Sequence, residues 1–407
     1  MADMSETSGV MIGAGEEGAP ALWERAPRPK VAMTPSQMRT FNDLLAVGGA
    51  RPTAPPRLAE DLHDKILAGT AAALESWTEA RLWLSKGQLF TALRCEGQLV
   101  AEANAERPDG MTAPTAVGIV SHRAIQIAHT HPGRSIGDYV HYAVAGARGD
   151  ASFDEFWSAA NPGTQSDLLM QMVSKVAGFL DSWPQLDETW TPRFEEAMQA
   201  KVGALTLSCR ADLVLGRPRA DGRQTMFLAD IKSGSLHDHH VDEGRFYALV
   251  ATLRHGCPPF RSTVYSLASG EFSDPEVSAA TMHATADLVI DGVVRLVAVL
   301  AGQREAELNP GQHCSWCPAK LTCPEAQGST GGTGRRAKNS APVTESATVI
   351  TSTNAPTNAP THAPITSVGA TPPRPPASAA GGAKAESGGG TADVDAPGDV
   401  GDPYELD

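Results

Sequence analysis

The chain has 407 residues, with 33 Lys and Arg against 47 Asp and Glu, a formal charge of −14, and only 5% aromatic residues. No apolar run approaches the ~20 residues needed to cross a bilayer, and the opening residues include Asp3, Glu6, Glu16 and Glu17 instead of a basic stretch followed by an apolar one, so a soluble cytoplasmic protein is expected. The acidic balance argues against sequence-blind adhesion of the whole molecule to DNA but permits a locally basic groove, and six cysteines are too few for a secreted disulfide scaffold.

Residues 1–30 read as a disordered tail. Thr34-Pro35 predicts a helix start, an N-cap followed by Pro at the first helical position, and Gly48-Gly49 predicts its stop. Segments 58–84 and 87–105 read as helices with apolar residues at three and four spacing, and 116–129, with Val117, Val120, Ile125 and Ile127, as a further one. A mixed helical stretch is expected to about Lys201. The period then changes: 204–215 alternates like a strand, 216–222 supplies a turn and 226–231 a second strand, together a hairpin. Helix 241–253, strand 262–267 and a long helix 275–307 follow. From Ala326 to Asp407, Gly, Pro, Thr, Ser and Ala dominate, Asn-Ala-Pro recurs at 354–356 and 358–360, and Leu406 is the only leucine, too little apolar surface to offset chain entropy. One globular region, 31–325, is therefore expected between a disordered 1–30 and a disordered 326–407.

Asp212 lies near the end of the first hairpin strand, and Asp230 and Lys232 at the end of the second, with Ile231 between them. A side-chain period of two puts Asp230 and Lys232 on one side, and hairpin pairing can bring Asp212 beside them. Two carboxylates and an ammonium then converge, as phosphodiester hydrolysis requires: carboxylates for Mg2+, and a lysine to orient water or meet developing charge. Spacing alone is equally that of a salt bridge on a sheet edge.

Four segments occur in a fixed order: Gly118-Ile-Val-Ser-His122, Cys209-Arg-Ala-Asp212-Leu-Val, Asp230-Ile-Lys-Ser-Gly234 and Glu243-Gly-Arg-Phe-Tyr247. This succession, over about residues 85–325, resembles the PD-(D/E)XK nuclease superfamily, specifically its RecB-like branch, which includes the exonucleases associated with CRISPR loci. The resemblance implies an α/β, restriction-endonuclease-like core, a central mixed sheet flanked by helices, with a helical N-terminal part. It implies that His122, Asp212, Asp230 and the Ile231 carbonyl bind Mg2+ or Mn2+ and that Lys232 is the catalytic lysine. Tyr247 and Glu243 fall on the family's DNA-contacting Gln-x-x-x-Tyr helix motif, with Arg245 between them. Two departures stand out: Cys209 replaces a glycine, and Glu243 replaces the glutamine, where a carboxylate would repel phosphate yet could serve as an outer metal or water ligand. Glu195 and Glu196 are further carboxylate candidates, read as facing water on an amphipathic helix. The run His237-Asp-His-His240 has a metal-like composition but reads as solvated loop histidines.

Cys314, Cys317 and Cys323 form a C-x2-C-x5-C cluster that leaves one ligand position for zinc or an iron–sulfur cluster. In the RecB-like branch three such cysteines join a distant N-terminal one around a four-iron, four-sulfur cluster, and Cys95 falls in that slot, although Glu96 stands where the family often has proline. Zinc with His313 is the alternative. Cys209 and Cys257 read as packing thiols.

Between Lys201 and Arg261 nine Lys and Arg face six Asp and Glu, so this part reverses the sign of the chain, as a polyanion site would. Arg210, Arg217, Arg219, Arg223, Arg245 and Arg254 are the phosphate-contact candidates. The expected function is a metal-dependent DNA exonuclease acting on ends or single strands, in repair, recombination or phage or CRISPR-type processing. With no helicase phosphate loop, unwinding would need a helicase or recombination partner. The alternative is a catalytically weak iron–sulfur DNA-binding accessory protein of a recombination complex.

Overall fold

The computed structural model describes residues 32–47, 49–105 and 111–328. Both expected tails, apart from 326–328, and the helix stop at Gly48 lie outside the described residues. The fold is α/β, a mixed six-stranded sheet with helices against both faces.

Helix α1 (Pro35–Arg39) starts where Thr34 and Gln37 close a capping box, and runs into a π turn at Thr40–Leu44. Helix α2 (Leu58–Leu74) buries Leu58, Leu62, Ile66 and Thr70, one stripe at four spacing. Its expected extension to residue 84 is corrected: residues 82–85 form strand β1 (Leu82–Ser85), with Leu82 and Leu84 buried and Trp83 outward. Ser85 then caps α3 (Lys86–Arg94) through Gln88. The single helix expected over 87–105 is broken by an extended Cys95, after which α4 (Glu96–Asn104) begins.

Helices α5 (Ala113–Thr130), α6 (Ile136–Ala147), α7 (Ala151–Ala159) and α8 (Pro162–Ser182) follow, each opened by an oxygen-bearing N-cap: Thr112, Ser135, Asp150 and Asn161. The helical reading up to Lys201 also needs correction, because residues 193–202 are strand β2 (Arg193–Val202). Its Met198, Ala200 and Val202 alternate inward, and Gly203, at φ +58°, turns it directly into β3 (Leu205–Leu215). Strand β4 (Phe227–Lys232), helix α9 (His239–His255), strands β5 (Arg261–Ser266) and β6 (Phe272–Ser273), helix α10 (Ala279–Leu300) and a short α11 (Pro324–Gly328) complete the order. Helix α11 crosses the expected boundary at 325/326 and buries Ala326.

Strand β3 organises the sheet. It pairs antiparallel with β2 along its length, parallel with β1 at its start (Leu82↔Leu205) and antiparallel with β4 at its end (Leu213↔Ala229). β4 pairs parallel with β5, and β5 antiparallel with β6. On one face α5, α6 and α8 pack on Leu213, Leu215, Phe227, Ala229 and Ile231; on the other, α2, α3, α9 and α10 pack on Leu207, Val214 and Leu228. Side chains alternate along β4, so Asp230 and Lys232 share the parity of Leu228 and project on the α9 side, whereas along β3 the alternation slips between Ala211 and Val214, both in that layer, and Asp212 lies within the slip. No helix among the described residues is long and apolar enough to cross a membrane.

Trp183 anchors the first layer: it stacks on Phe179 at 4.9 Å and meets Tyr265 and Phe227 edge-on. Trp183→Ala is expected to lower unfolding free energy by about 3–5 kcal/mol, measured by urea denaturation.

Candidate active site

The site forms where the β3–β4 ladder ends. Pairing stops at Leu213↔Ala229; one step further Asp212 stands opposite Asp230, and the Ile231 amide donates to the Asp212 carboxylate instead of to backbone. The sequence-predicted pair is therefore brought together by the hairpin register, at the level where the two strands part.

On the other edge of β3 the β2 ladder is interrupted at the same level. Phe194 pairs with Leu213 and Glu196 with Ala211, while Glu195, opposite Asp212, takes a left-handed backbone at φ +51°. A non-glycine residue there is strained by about 1–3 kcal/mol, and such strain concentrates at functional sites. The kink brings the Glu195 carboxylate to 3.8 Å from His122 Nδ1, which lies 3.6 Å from Asp212 Oδ1. The reading of Glu195 as a water-facing helix residue is thus overturned; Glu196 stays apart, 3.7 Å from Arg193.

His122 arrives from α5. Gly118, one turn earlier, faces Ser233 in the loop after β4, where a Cβ would lie 3.4 Å from Ser233 Oγ, an ordinary contact distance. That loop is held by Lys175 Nζ on the Ser233 carbonyl at 2.6 Å and by Ser266 Oγ on Gly234 at 2.8 Å. His122 Nε2 is buried with no hydrogen-bond partner among the described residues. His122, Glu195 and Asp212 offer ligand atoms within 4.8 Å of one another, a group that suits a divalent ion. Asp230, expected as a full ligand, is turned toward Lys232 at 2.7 Å.

Lys232 Nζ also reaches Glu243 Oε2 at 2.8 Å, and the same oxygen takes Lys86 Nζ at 2.9 Å; Lys86 stands 3.6 Å from Asp230 and 5.0 Å over the Tyr247 ring. Lys86 was missed in the sequence, although the Ser85-x-x-Gln88 capping box before it marks a strand-to-helix junction. The departure at Glu243 now has a physical account: two ammonium groups neutralise its charge. Tyr247 is buried beneath Lys86 instead of presenting a free face.

The basic candidates do not all gather here. Arg245 lies roughly 200° around α9 from Glu243 and contacts Asp242. Arg254 is exposed eleven residues beyond Glu243, about 16 Å along the helix. Arg217, Arg219 and Arg223 sit at the β3–β4 turn, the far end of the hairpin from Asp212, with Arg219 paired to Asp221 at 2.8 Å. Arg210 is exposed on β3. Strand direction and helix phase separate the other five from the carboxylates, while Arg210 stands two residues before Asp212 on the same strand. Burial pushes the Cys209 thiol up to about 12 and Cys257 up to about 11, as expected of packing thiols.

Burial raises the Asp212 pKa to about 7, the neighbouring Asp230 charge adding to it and His122 opposing. Asp230 behaves oppositely: burial disfavours its charge, but Lys232 and Lys86 outweigh that and hold it below the ordinary carboxylate value. Burial likewise opposes the Lys232 ammonium, yet Asp230 and Glu243 raise its pKa above the ordinary lysine value. Burial opposes the His122 imidazolium too, but Glu195 and Asp212 leave its pKa raised. Three charges are balanced; Asp212 is the carboxylate still awaiting a cation.

The cysteines form a second centre. Cys95, Cys314, Cys317 and Cys323 line one cavity of about 170 Å3 with His313, and the Gly311 amide donates to Cys314 Sγ at 3.4 Å. Glu96, in the place of the family's proline, is buried and receives both terminal nitrogens of Arg304 at 2.6 Å and the Glu307 amide at 2.8 Å.

The Asp212 shift fixes a pH dependence. A folded-state pKa raised from 3.8 to about 7 means a contribution to stability that is full below pH ~3.8 and lost as pH rises through about 7. A divalent ion that replaces the proton restores it, so saturating Mn2+ is expected to raise the melting temperature more at pH 8 than at pH 6, and to release more than one proton near pH 6.5 in calorimetry, because His122, its pKa also raised, must give up its proton to bind. Equal shifts at both pH values would mean that Asp212 is already ionised without metal.

A search of curated proteins finds no significant match. A family model described as the PD-(D/E)XK nuclease superfamily matches residues 84–324, from the last residues of β1, just before Lys86, past Cys323. It spans the parted hairpin, the α9 face and the cysteines, more than half of the chain, and the chain belongs to the PD-(D/E)XK nuclease superfamily.

Proposed function

We propose that the chain is a Mg2+- or Mn2+-dependent DNA exonuclease acting on ends or single strands, with Asp212, Asp230, His122 and Glu195 around the metal, and the Ile231 carbonyl beside them. The observation that carries this reading is the charge pattern at the parted strands: one uncompensated acidic pocket directly beside a lysine locked between two carboxylates. Bound in that pocket, a divalent cation would neutralise charge at the scissile phosphate.

The chain's own groups divide the remaining work. Lys232, its pKa raised, stays an ammonium through the working range, so it donates a hydrogen bond to the attacking water or to developing phosphate charge and does not accept a proton. Glu243 and Asp230 fix its direction, and Lys86 keeps Glu243 from repelling the phosphate. Backbone contacts of this kind need no base code, which fits a role in repair, recombination or phage or CRISPR-type processing beside a helicase partner. Asp230→Ala and Lys232→Ala are each expected to reduce Mn2+-dependent DNA degradation by more than about 100-fold with unchanged circular dichroism, and Lys86→Ala by about tenfold. Undiminished cleavage by a folded Lys232→Ala variant would sink the assignment.

The cysteine cavity fits a four-iron, four-sulfur cluster held by Cys95, Cys314, Cys317 and Cys323. What supports this reading is that all four cysteines line one cavity, with His313 beside them as the ligand that a zinc site would use instead. Protein purified without oxygen is expected to be brown, with iron and acid-labile sulfide, and to lose both in Cys95→Ala as fully as in Cys317→Ala; zinc without sulfide would exclude the cluster.

A further inference from the structure

His239, His240 and Glu243 also place ligand atoms within 4.8 Å of one another, outside the acidic pocket. Of the histidines expected to be solvated loop residues, His237 is exposed before α9 as read, whereas residues 239 and 240 form the first turn of α9, His239 exposed and His240 buried. Spacings of three and four residues put both rings on the helix edge that carries Glu243. The rings of His237, His239 and His240 lie 4.3–5.6 Å apart, so His237 crowds the same corner.

We propose that His239, His240 and Glu243 form a second metal site, selective for an imidazole-binding transition ion such as Zn2+ over Mg2+, and that its occupation slows cleavage by drawing Glu243 off Lys232 and Lys86. The inhibitory half rests on the nuclease reading; the binding half does not.

Selectivity follows from what surrounds the site. Lys232 and Lys86 already sit on Glu243 Oε2, and the charge of Arg94 is felt at His239, so a cation entering here meets repulsion. Mg2+, which depends on oxygen ligands and gives up its water reluctantly, gains too little from one shared carboxylate. Zn2+ gains from two imidazole nitrogens, and water completes a tetrahedral set. The His237 amide donates to His240 Nδ1 at 3.0 Å, a bond that metal binding at this ring breaks; residue 237 is exposed, so its amide can turn to solvent. Once a metal holds Glu243, the carboxylate is shared, and Lys232 loses one of the two groups that direct it.

The test compares the full chain with His239→Ala in saturating Mg2+. His239 is exposed and has no part in the carboxylate–lysine bridge, so the variant should keep its Mg2+-dependent rate. Zn2+ bound per chain after equilibrium dialysis is expected to fall by one in the variant, since any zinc held by the cysteines counts equally in both proteins. The Zn2+ concentration for half-inhibition of DNA degradation is expected to rise at least tenfold. Equal zinc content would overturn the site. Loss of one zinc with unchanged inhibition would overturn the coupling to Glu243. If neither protein degrades DNA with Mg2+, the nuclease reading fails while the zinc count still decides the metal site.

Discussion

Two lysines share one carboxylate oxygen at the centre of this protein, and the positions of three separate elements depend on that contact. Glu243 Oε2 sits 2.8 Å from Lys232 on β4 and 2.9 Å from Lys86 at the start of α3, while Asp230 closes the network at 2.7 Å from Lys232. Taking four charges partly out of water is costly, and only mutual pairing offsets it; stripping one partner from such a network typically costs about 3–5 kcal/mol. The strand end, the first turn of α3 and the inner face of α9 must therefore be held in register. Two negative and two positive charges balance in this network.

Asp212 is left outside that balance. Its position follows from a ladder that fails on both edges of β3 at one level: β4 parts after Leu213, and Glu195 on β2 adopts a left-handed backbone directly opposite. The parted strands face a histidine delivered by α5, and together they bring ligand atoms of His122, Glu195 and Asp212 within 4.8 Å of one another.

A second constraint lies at the other end of the core. The Glu96–Arg304 pair joins the start of α4 to the chain beyond α10, with the Gly97 amide on the Glu307 carbonyl at 3.3 Å and Asn309 Nδ2 on the Arg94 carbonyl at 2.9 Å. These contacts hold Cys95 and Cys314 on the same cavity. Glu96, bound by Arg304 and the Glu307 amide, is the centre of this clamp.

The sequence by itself determined the local units and the chemistry they carry. The β3–β4 hairpin with Asp212, Asp230 and Lys232, the helices around Gly118 and Glu243, and the three closely spaced cysteines were legible because period-two alternation, capping residues and short spacings are local signals. Strands β1 and β2 were not. Leu82–Ser85 is too short to show a period, and the alternation in β2 is broken at Glu195, where the backbone itself is kinked. Only the tertiary structure decided that Glu195 belongs to the pocket, that Lys86 neutralises Glu243, and that Arg217, Arg219, Arg223, Arg245 and Arg254 point elsewhere. Those outcomes depend on strand register, helix phase and contacts between residues up to 157 positions apart, and no local pattern encodes which distant charges will share one oxygen.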